Sequence, residues 1–392
     1  MANIKVIRRC IFFLLALSFV LGDRFVGGRS VDTRETKELV KHKGTVKTIE
    51  GKNGDIIDCV DINQQPAFNH PLLKNHTIQM EPSFIRKVTN EELYNAELFQ
   101  GWHEDEECPE GTIPIRHARE GENFAHRTIA PLAHRKELNI RRNYDTAGHE
   151  YAQAHLSPGN YYGAHATINL WSPQIMDADF SLAQIWVVAG PDNELNTIEA
   201  GWRADNHNGQ PRFFVYWTRD AYEKTGCQNL ECPGFVQVDR KFAIGSPLNP
   251  VSTYKGTQHD IGVTIYKDKG NWWLQVQNQA IGYWPHSIFP HLANVATSLS
   301  WGGEIYSSGK EGHHTSTHMG SGHFPSEGYG KASYFRNIQY IDSNGKFIDA
   351  GEELHPDTTK SSCYDISLVT VKNGGNGTQF YFGGPGYSAT CP

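Results

Sequence analysis

The sequence is poor in methionine, with 4 in 392 residues, and it has no excess of positive charge. A net charge of −7 and the absence of an interleaved basic-aromatic patch argue against nucleic acid as a partner. No apolar run beyond the N-terminus reaches the roughly 18 residues that a membrane-spanning helix needs. There is no glycine-rich phosphate loop, no Cys-x-x-Cys ligand set and no Gly-x-Ser-x-Gly elbow, so nothing points to a cofactor. No stretch keeps a helical period over three turns, which excludes a helix bundle. What is abundant is glycine (38), tyrosine (17), phenylalanine (19) and tryptophan (9), the composition of β-structure with many turns. The 19 histidines make the charge rise steeply below about pH 6.5.

Lys5, Arg8 and Arg9 precede the apolar run from Cys10 to Leu21, and charge resumes at Asp23. That is the pattern of a secretory signal over residues 1–22, and it predicts a secreted protein with no membrane association once the signal is removed. Six of the seven cysteines remain after Cys10 leaves, and six allow 15 pairings. Pairing neighbours within each half gives Cys59–Cys108, Cys227–Cys232 and Cys363–Cys391. Asn75-His76-Thr77 and Asn376-Gly377-Thr378 are glycosylation acceptors, which predicts sugars on Asn75 and Asn376.

Two domains are expected. Residues 23–142 are polar and proline-punctuated, with a poor helical signal over Lys37–Val46 and strand-like stretches at Ile56–Val60 and Ile113–Arg116. They end in an apolar-poor linker, 117–150, holding His117, Arg119, His126, Arg127, His134, Arg135, Lys136, Arg141 and Arg142, the composition of an exposed segment open to proteases. From residue 143 the pattern is strand after strand, including Ser181–Val188, Arg212–Thr218, Ile261–Tyr266, Asn271–Gln277 and Ala332–Ile341. This predicts an all-β fold: an antiparallel β-sandwich or jelly roll behind a smaller mixed domain.

Two of the strands carry a carboxylate where it is costly. In Leu195–Trp202, Ile198, Ala200 and Trp202 share one face, and Thr197, Glu199 and Gly201 share the other. In Leu299–Ile305, Leu299, Trp301 and Ile305 oppose Ser300, Gly302 and Glu304. Each Glu sits among small neighbours, which predicts open space above it and a cleft floor bearing two carboxyls. A strand Glu more commonly faces solvent or an ion-pair partner. The His-rich stretch Glu311–Met319, with His323, fits no standard metal spacing and is expected to line the cleft instead, so no metal is predicted.

Long stretches then narrow the choice. Phe180–Val187, Leu195–Trp202, Thr225–Gln237, Gly270–Leu274, Gly282–Pro285, Trp301–Glu304, Met319–Pro325, Gly330–Asn337 and Gly383–Gly386 resemble the neprosin family of secreted plant glutamic endopeptidases, which cut after proline. Asp58–Asp61, Gln65–Phe68, His70–Asn75 and Cys108–Ile115 resemble that family's activation peptide. The resemblance implies a zymogen whose N-terminal domain is its own intramolecular inhibitor and is removed in acid, with Glu199 and Glu304 as the catalytic pair and a peptide or protein as substrate. The sequence departs from the family pattern at His318, Arg203 and Ala183, where Gln, Gln and Ser are expected.

Two close carboxyls cannot both ionise cheaply, so one would hold a proton while the other takes one from an attacking water. Gln184 and Tyr216 are candidates to steady the oxyanion. Trp217 and Trp301, with Trp202 and Trp284, are candidates to wall a proline-sized pocket or to fill the core. Two rival readings use the same residues: a glycosidase acting on wall polysaccharide, and a non-catalytic wall-binding module.

Overall fold

The computed structural model describes residues 41–85, 100–103, 106–118, 148–205, 209–309, 312–369 and 377–392. The signal segment, the linker residues 119–147, the acceptor Asn376 and the side chain of Cys227 lie outside the described residues. The described part from Lys41 onward is one compact unit.

Nineteen strands run through the described residues. In chain order they are β1 (Thr45–Glu50), β2 (Ile56–Asp61), β3 (Thr112–Arg116), β4 (His149–Leu156), β5 (Gly163–Asn169), β6 (Phe180–Ala189), β7 (Asn196–Asp205), β8 (Arg212–Thr218), β9 (Cys227–Gln228) and β10 (Val236–Gln237). They continue as β11 (Asp260–Asp268), β12 (Asn271–Val276), β13 (Gln279–Trp284), β14 (Ser298–Tyr306), β15 (Ser333–Ile341), β16 (Phe347–Asp349), β17 (Leu354–Thr358), β18 (Asp365–Val369) and β19 (Gln379–Gly383). Where a helix was expected to reach Val46, the chain is already extended in β1, because Thr45 and Lys47 start an antiparallel pairing with β2, with a register shift at Val46 between them.

Two large antiparallel sheets make the sandwich. One runs β17-β4-β14-β6-β7-β8-β9, and the other β10-β13-β12-β11-β5-β15-β19-β18, with β16 on β15. One core face of each sheet is apolar and they close on each other. Ala183, Ile185, Val187, Ile198, Ala200, Trp202, Leu299 and Trp301 of the first meet Ala164, Ala166, Ile168, Ile261, Val263 and Ile265 of the second. Burial of that many aliphatic and indole side chains is the main source of stability, at about 25 cal/mol per Å². Cys363–Cys391 is bonded at the C-terminal edge. Cys232 is disulfide-bonded, and the side chain of its expected partner, Cys227, lies outside the described residues.

The N-terminal domain is the sheet β1-β2-β3, tied by Cys59–Cys108. Its small core of Ile49, Ile57, Cys59, Trp102 and Cys108 is completed by Ala243 from the sandwich. Two glutamines join the domains by paired backbone hydrogen bonds. Gln65 donates to Gln237 O (3.1 Å) and accepts from Gln237 N (2.9 Å); Gln100 does the same with Ala243 (3.0 and 2.8 Å). Gln237 lies on β10, an edge strand, so Gln65 satisfies backbone groups that an edge leaves open.

Candidate active site

The outer face of the seven-stranded sheet carries both glutamates, and the strand register places them in a grid. One row across the sheet reads Arg212, Arg203, Leu182, Glu304, Tyr151. The next reads Phe214, Gly201, Gln184, Gly302, Gln153, and the third Tyr216, Glu199, Trp186, Ser300. Glu199 and Glu304 therefore share a face, two strands and four residues apart. By strand geometry that is about 10 Å sideways and about 13 Å lengthwise between their backbones. Gln184 lies in the row between them.

Both carboxyls are fully buried. They do not touch, so the expected shared proton is replaced by separate hydrogen-bond sets. Glu199 Oε1 accepts from Tyr222 OH (2.6 Å) and Thr197 Oγ1 (2.8 Å), and its Oε2 accepts from Gln184 Nε2 (2.9 Å). Glu304 Oε1 is held by His149 Nδ1 (2.6 Å) and Tyr151 OH (3.3 Å). Burial drives the Glu199 carboxyl up to about 7, with the negative field of Glu304 adding to it; the three donors pull the other way and lose.

On β6 and β14, four buried polar atoms of this face have no hydrogen-bond partner among the described residues: Glu304 Oε2, Gln184 Oε1, Ser300 Oγ and Trp186 Nε1. Buried polar atoms are nearly always satisfied, so a cluster of four in adjacent rows marks a place made for a polar guest. Two acceptors, one donor and one hydroxyl match a peptide group with its attacking water.

The structure treats the expected site residues unevenly. Gln184 and Tyr216 lie on the glutamates' face, and Gln184 contacts Glu199. Trp217 and Trp301 do not: both point into the core between the sheets, as do Trp202 and Trp284. Their expected role as pocket walls is corrected by the alternation itself, since Trp217 opposes Ile198 and Trp301 opposes Ile185, both core residues. The aromatics beside the glutamates are instead Tyr151, Phe180, Trp186, Phe214, Tyr216 and Tyr222. The small neighbours of Glu199 also act differently from the open space expected of them. A side chain at Gly201 would meet Ala183 O at 2.0 Å and the Gln184 Cα at 2.7 Å, so the glycine permits a close strand approach. In the His-rich loop, His314 bonds Glu150 (2.8 Å), on the opposite face of β4 from Tyr151, so it does not line the glutamates' face.

Sequence reasoning missed Tyr222, His149 and Tyr151. Tyr222 lies in a turn in which it and Ala221 both adopt positive φ (63° and 53°), and this conformation brings its hydroxyl onto Glu199. No pattern in the sequence announces such a turn. His149 and Tyr151 had a weak signal, an alternating pair at the start of a strand. The aspartate-histidine cluster His42, Asp58 and His117 was also unforeseen: Asp58 Oδ2 accepts from His42 Nδ1 (2.9 Å) and His117 Nε2 (2.7 Å). Burial works against its charge, but these hydrogen bonds and those from the His42 amide and Thr48 outweigh it and hold the Asp58 carboxyl down at about 2.

Several solved structures resemble this chain. Scytalido-glutamic peptidase with a peptide-based transition-state analogue aligns at TM-score 0.34 and 10% identity, covering 60% of this chain and 98% of that one. SCP-B, a member of the eqolisin family of peptidases in complex with the tripeptide Ala-Ile-His, aligns at 0.32 and 9%, covering 59% and 96%. CG-16, a homodimeric agglutinin from chicken liver, aligns at 0.23 and 11%, covering 39% and 93%. Likenesses this distant say nothing about the site. The sequence families are decisive: the neprosin activation peptide matches residues 48–155, and neprosin matches residues 177–385, more than half of the chain. The chain belongs to the neprosin family of peptidases, with that family's activation peptide ahead of its neprosin domain.

Proposed function

We propose that this protein is a secreted glutamic endopeptidase, made as a zymogen, that cuts peptides after proline in acid through Glu199 and Glu304. The observation that carries the reading is the pairing of a proton-retaining Glu199 with the unpartnered Glu304 Oε2 on one buried face.

The chemistry follows from the two environments. Below about pH 7 Glu199 holds a proton, which suits a general acid. Glu304 keeps one oxygen on His149 and offers the other to a water. As that water attacks the scissile carbonyl carbon, its proton passes to Glu304, and Glu199 polarises the carbonyl oxygen. The C–N bond then breaks and the Glu199 proton goes to the leaving nitrogen. Trp186 Nε1 and Ser300 Oγ lie in the row of Glu199, where they can donate to the oxyanion, with Gln184 holding the Glu199 carboxyl in place. Tyr216 and Tyr222, with ring centroids 6.0 Å apart, supply the flat apolar surface on which a proline ring packs.

Acid release of the N-terminal domain has its own support. His70 and His76 lie against the sandwich, and burial lowers both, helped by Arg219 for His70 and His286 for His76. His76 Nε2 meets Tyr283 OH at 2.7 Å while that hydroxyl accepts from Gln79 N at 2.9 Å. Neutral His76 accepts the Tyr283 proton; protonated His76 leaves it without an acceptor. Docking is then strongest above pH 6.5 and weakens as pH falls through the lowered values. Asn75 is exposed, as a glycosylated residue of a secreted protein must be.

The test is peptide cleavage by the acid-treated full chain. Glu199→Gln and Glu304→Gln should each lower the rate by about 10²–10⁴. Full activity in either variant removes that residue from the mechanism, and equal cutting after residues other than proline removes the specificity.

A further inference from the structure

We infer that Arg203 and Arg212 form an anion subsite of the mature enzyme, which takes a carboxylate of the peptide substrate and which the activation peptide fills with Asp55 in the zymogen. The inference rests on the peptidase reading above and names a feature of its substrate.

Arg203 on β7 and Arg212 on β8 are directly opposed, on the same face as the glutamates and in the row of Glu304. Like charges opposed in this way repel, and both side chains are buried, at 5% and 8% exposure. Such a pair needs an anion. In this structure the anion against Arg212 is Asp55, itself 1% exposed, with Nη1 at 3.3 Å from Oδ1 and 3.4 Å from Oδ2. Asp55 belongs to the activation peptide, as does Arg116, whose Nη1 lies 3.7 Å from the same carboxylate.

Arg203 is left with weaker company. Its guanidinium stacks over Phe180 at 4.1 Å, Nη1 makes a long 3.3 Å bond to the neutral amide of Gln228, and Nε has no partner among the described residues. Asp205, Glu304 and Glu231 act on it only through their fields, without contact. A buried guanidinium with a spare donor, beside one already gripping a carboxylate, is a fork waiting for a second carboxylate oxygen. Arg116, Arg203, Arg212, Asp205, Gln228 and Asn229 line one narrow cavity. When the activation peptide leaves, Asp55 and Arg116 leave with it. The cavity then loses its lid and its anion together, and Arg203 and Arg212 face the groove.

The position sets where the carboxylate falls on a substrate. Arg203 is two strands from Glu304, about 10 Å, which is three residues of extended peptide. Either an acidic side chain or the α-carboxylate at that distance presents the same group.

The experiment uses the acid-activated full chain at pH 5.5, where peptide carboxylates are ionised. Peptides differ only by Glu or Gln three residues from the cut, each with a free or an amidated C-terminus. The Glu peptide should have kcat/KM about 10–100-fold above the Gln peptide, the scale of hydrogen bonds to charge. That ratio should fall to about one in Arg203→Gln and recover in part in Arg203→Lys. A preference that follows the free C-terminus instead assigns the subsite to the α-carboxylate. A ratio of one for both carboxylates in the unaltered protein overturns the subsite. Failure to cut any of the peptides sinks the peptidase reading instead. In the zymogen, Asp55→Asn should speed loss of the activation peptide on acidification several-fold; an unchanged rate removes Asp55 from the subsite.

Discussion

At the scale of single residues the balance at Glu199 bears on stability and, in the proposed mechanism, on chemistry. Its carboxyl is raised from 4.5 to about 7 in the folded protein. A raised value means that its contribution to stability is fully present below 4.5 and is lost as pH rises through 7, roughly 3 kcal/mol over that window. Thermal melting of Glu199→Gln should therefore lose this part of the pH dependence, and an unchanged slope would show that Glu199 is ionised in the fold. Tyr222 opposes the rise by donating at 2.6 Å. Tyr222→Phe should push the Glu199 value higher still, moving the alkaline limb of the pH–rate profile upward while the rate falls. Movement of that limb to lower pH would contradict the assignment of Glu199 as the acid. The sequence showed the two glutamates because a carboxylate on an otherwise apolar strand is conspicuous. It gave no sign of Tyr222 and only a weak one of His149 and Tyr151, whose contacts depend on turns and register.

At the scale of elements, β6 is the spine of the site. Its residues Leu182, Gln184 and Trp186 stand between the strands of Glu199 and Glu304, one in each row. The row of Gln184 is flanked by Gly201 and Gly302, and at Gly302 an added side chain would meet Ala152 O at 2.4 Å. Gly201→Ala is expected to force β7 away from β6 and to cost about 1–3 kcal/mol, read as a lower melting temperature, with the Gln184–Glu199 bond lengthened. A variant that melts with the unaltered protein would mean that the sheet absorbs the methyl group elsewhere. Strand positions were legible from period-2 alternation, and β6, β7, β8 and β14 fall close to where the pattern placed them. The role of the tryptophans was not. Alternation says which residues share a face, but not which face is buried against the other sheet.

At the scale of the whole molecule, two parts with different acid responses are held together. The His42–Asp58–His117 cluster inside the N-terminal domain keeps its carboxylate charged down to about pH 2, so it survives mild acid. The interface histidines His70 and His76 are lowered by burial, and their share of docking is lost as pH falls through those values. Acid should therefore detach the N-terminal domain before it unfolds that domain. His76→Gln, which cannot take up the proton, should keep the domain bound at a pH where the unaltered protein has let go, as followed by the size of the particle in solution. Release at the same pH would shift the trigger to other groups.

The sequence by itself determined the class of the fold, two of the disulfide pairs seen here, the strand that each glutamate rides on, and the face that each glutamate shares with its neighbours. These follow from local periodicity and from which cysteines lie within one domain. The tertiary structure decided the rest: that the tryptophans fill the core, that the glutamates stand apart with Gln184 between them, and that Asp55 reaches Arg212 across 157 positions. Such contacts join residues far apart in the chain, and only the packing of one sheet on another, with its register, brings them within hydrogen-bond distance.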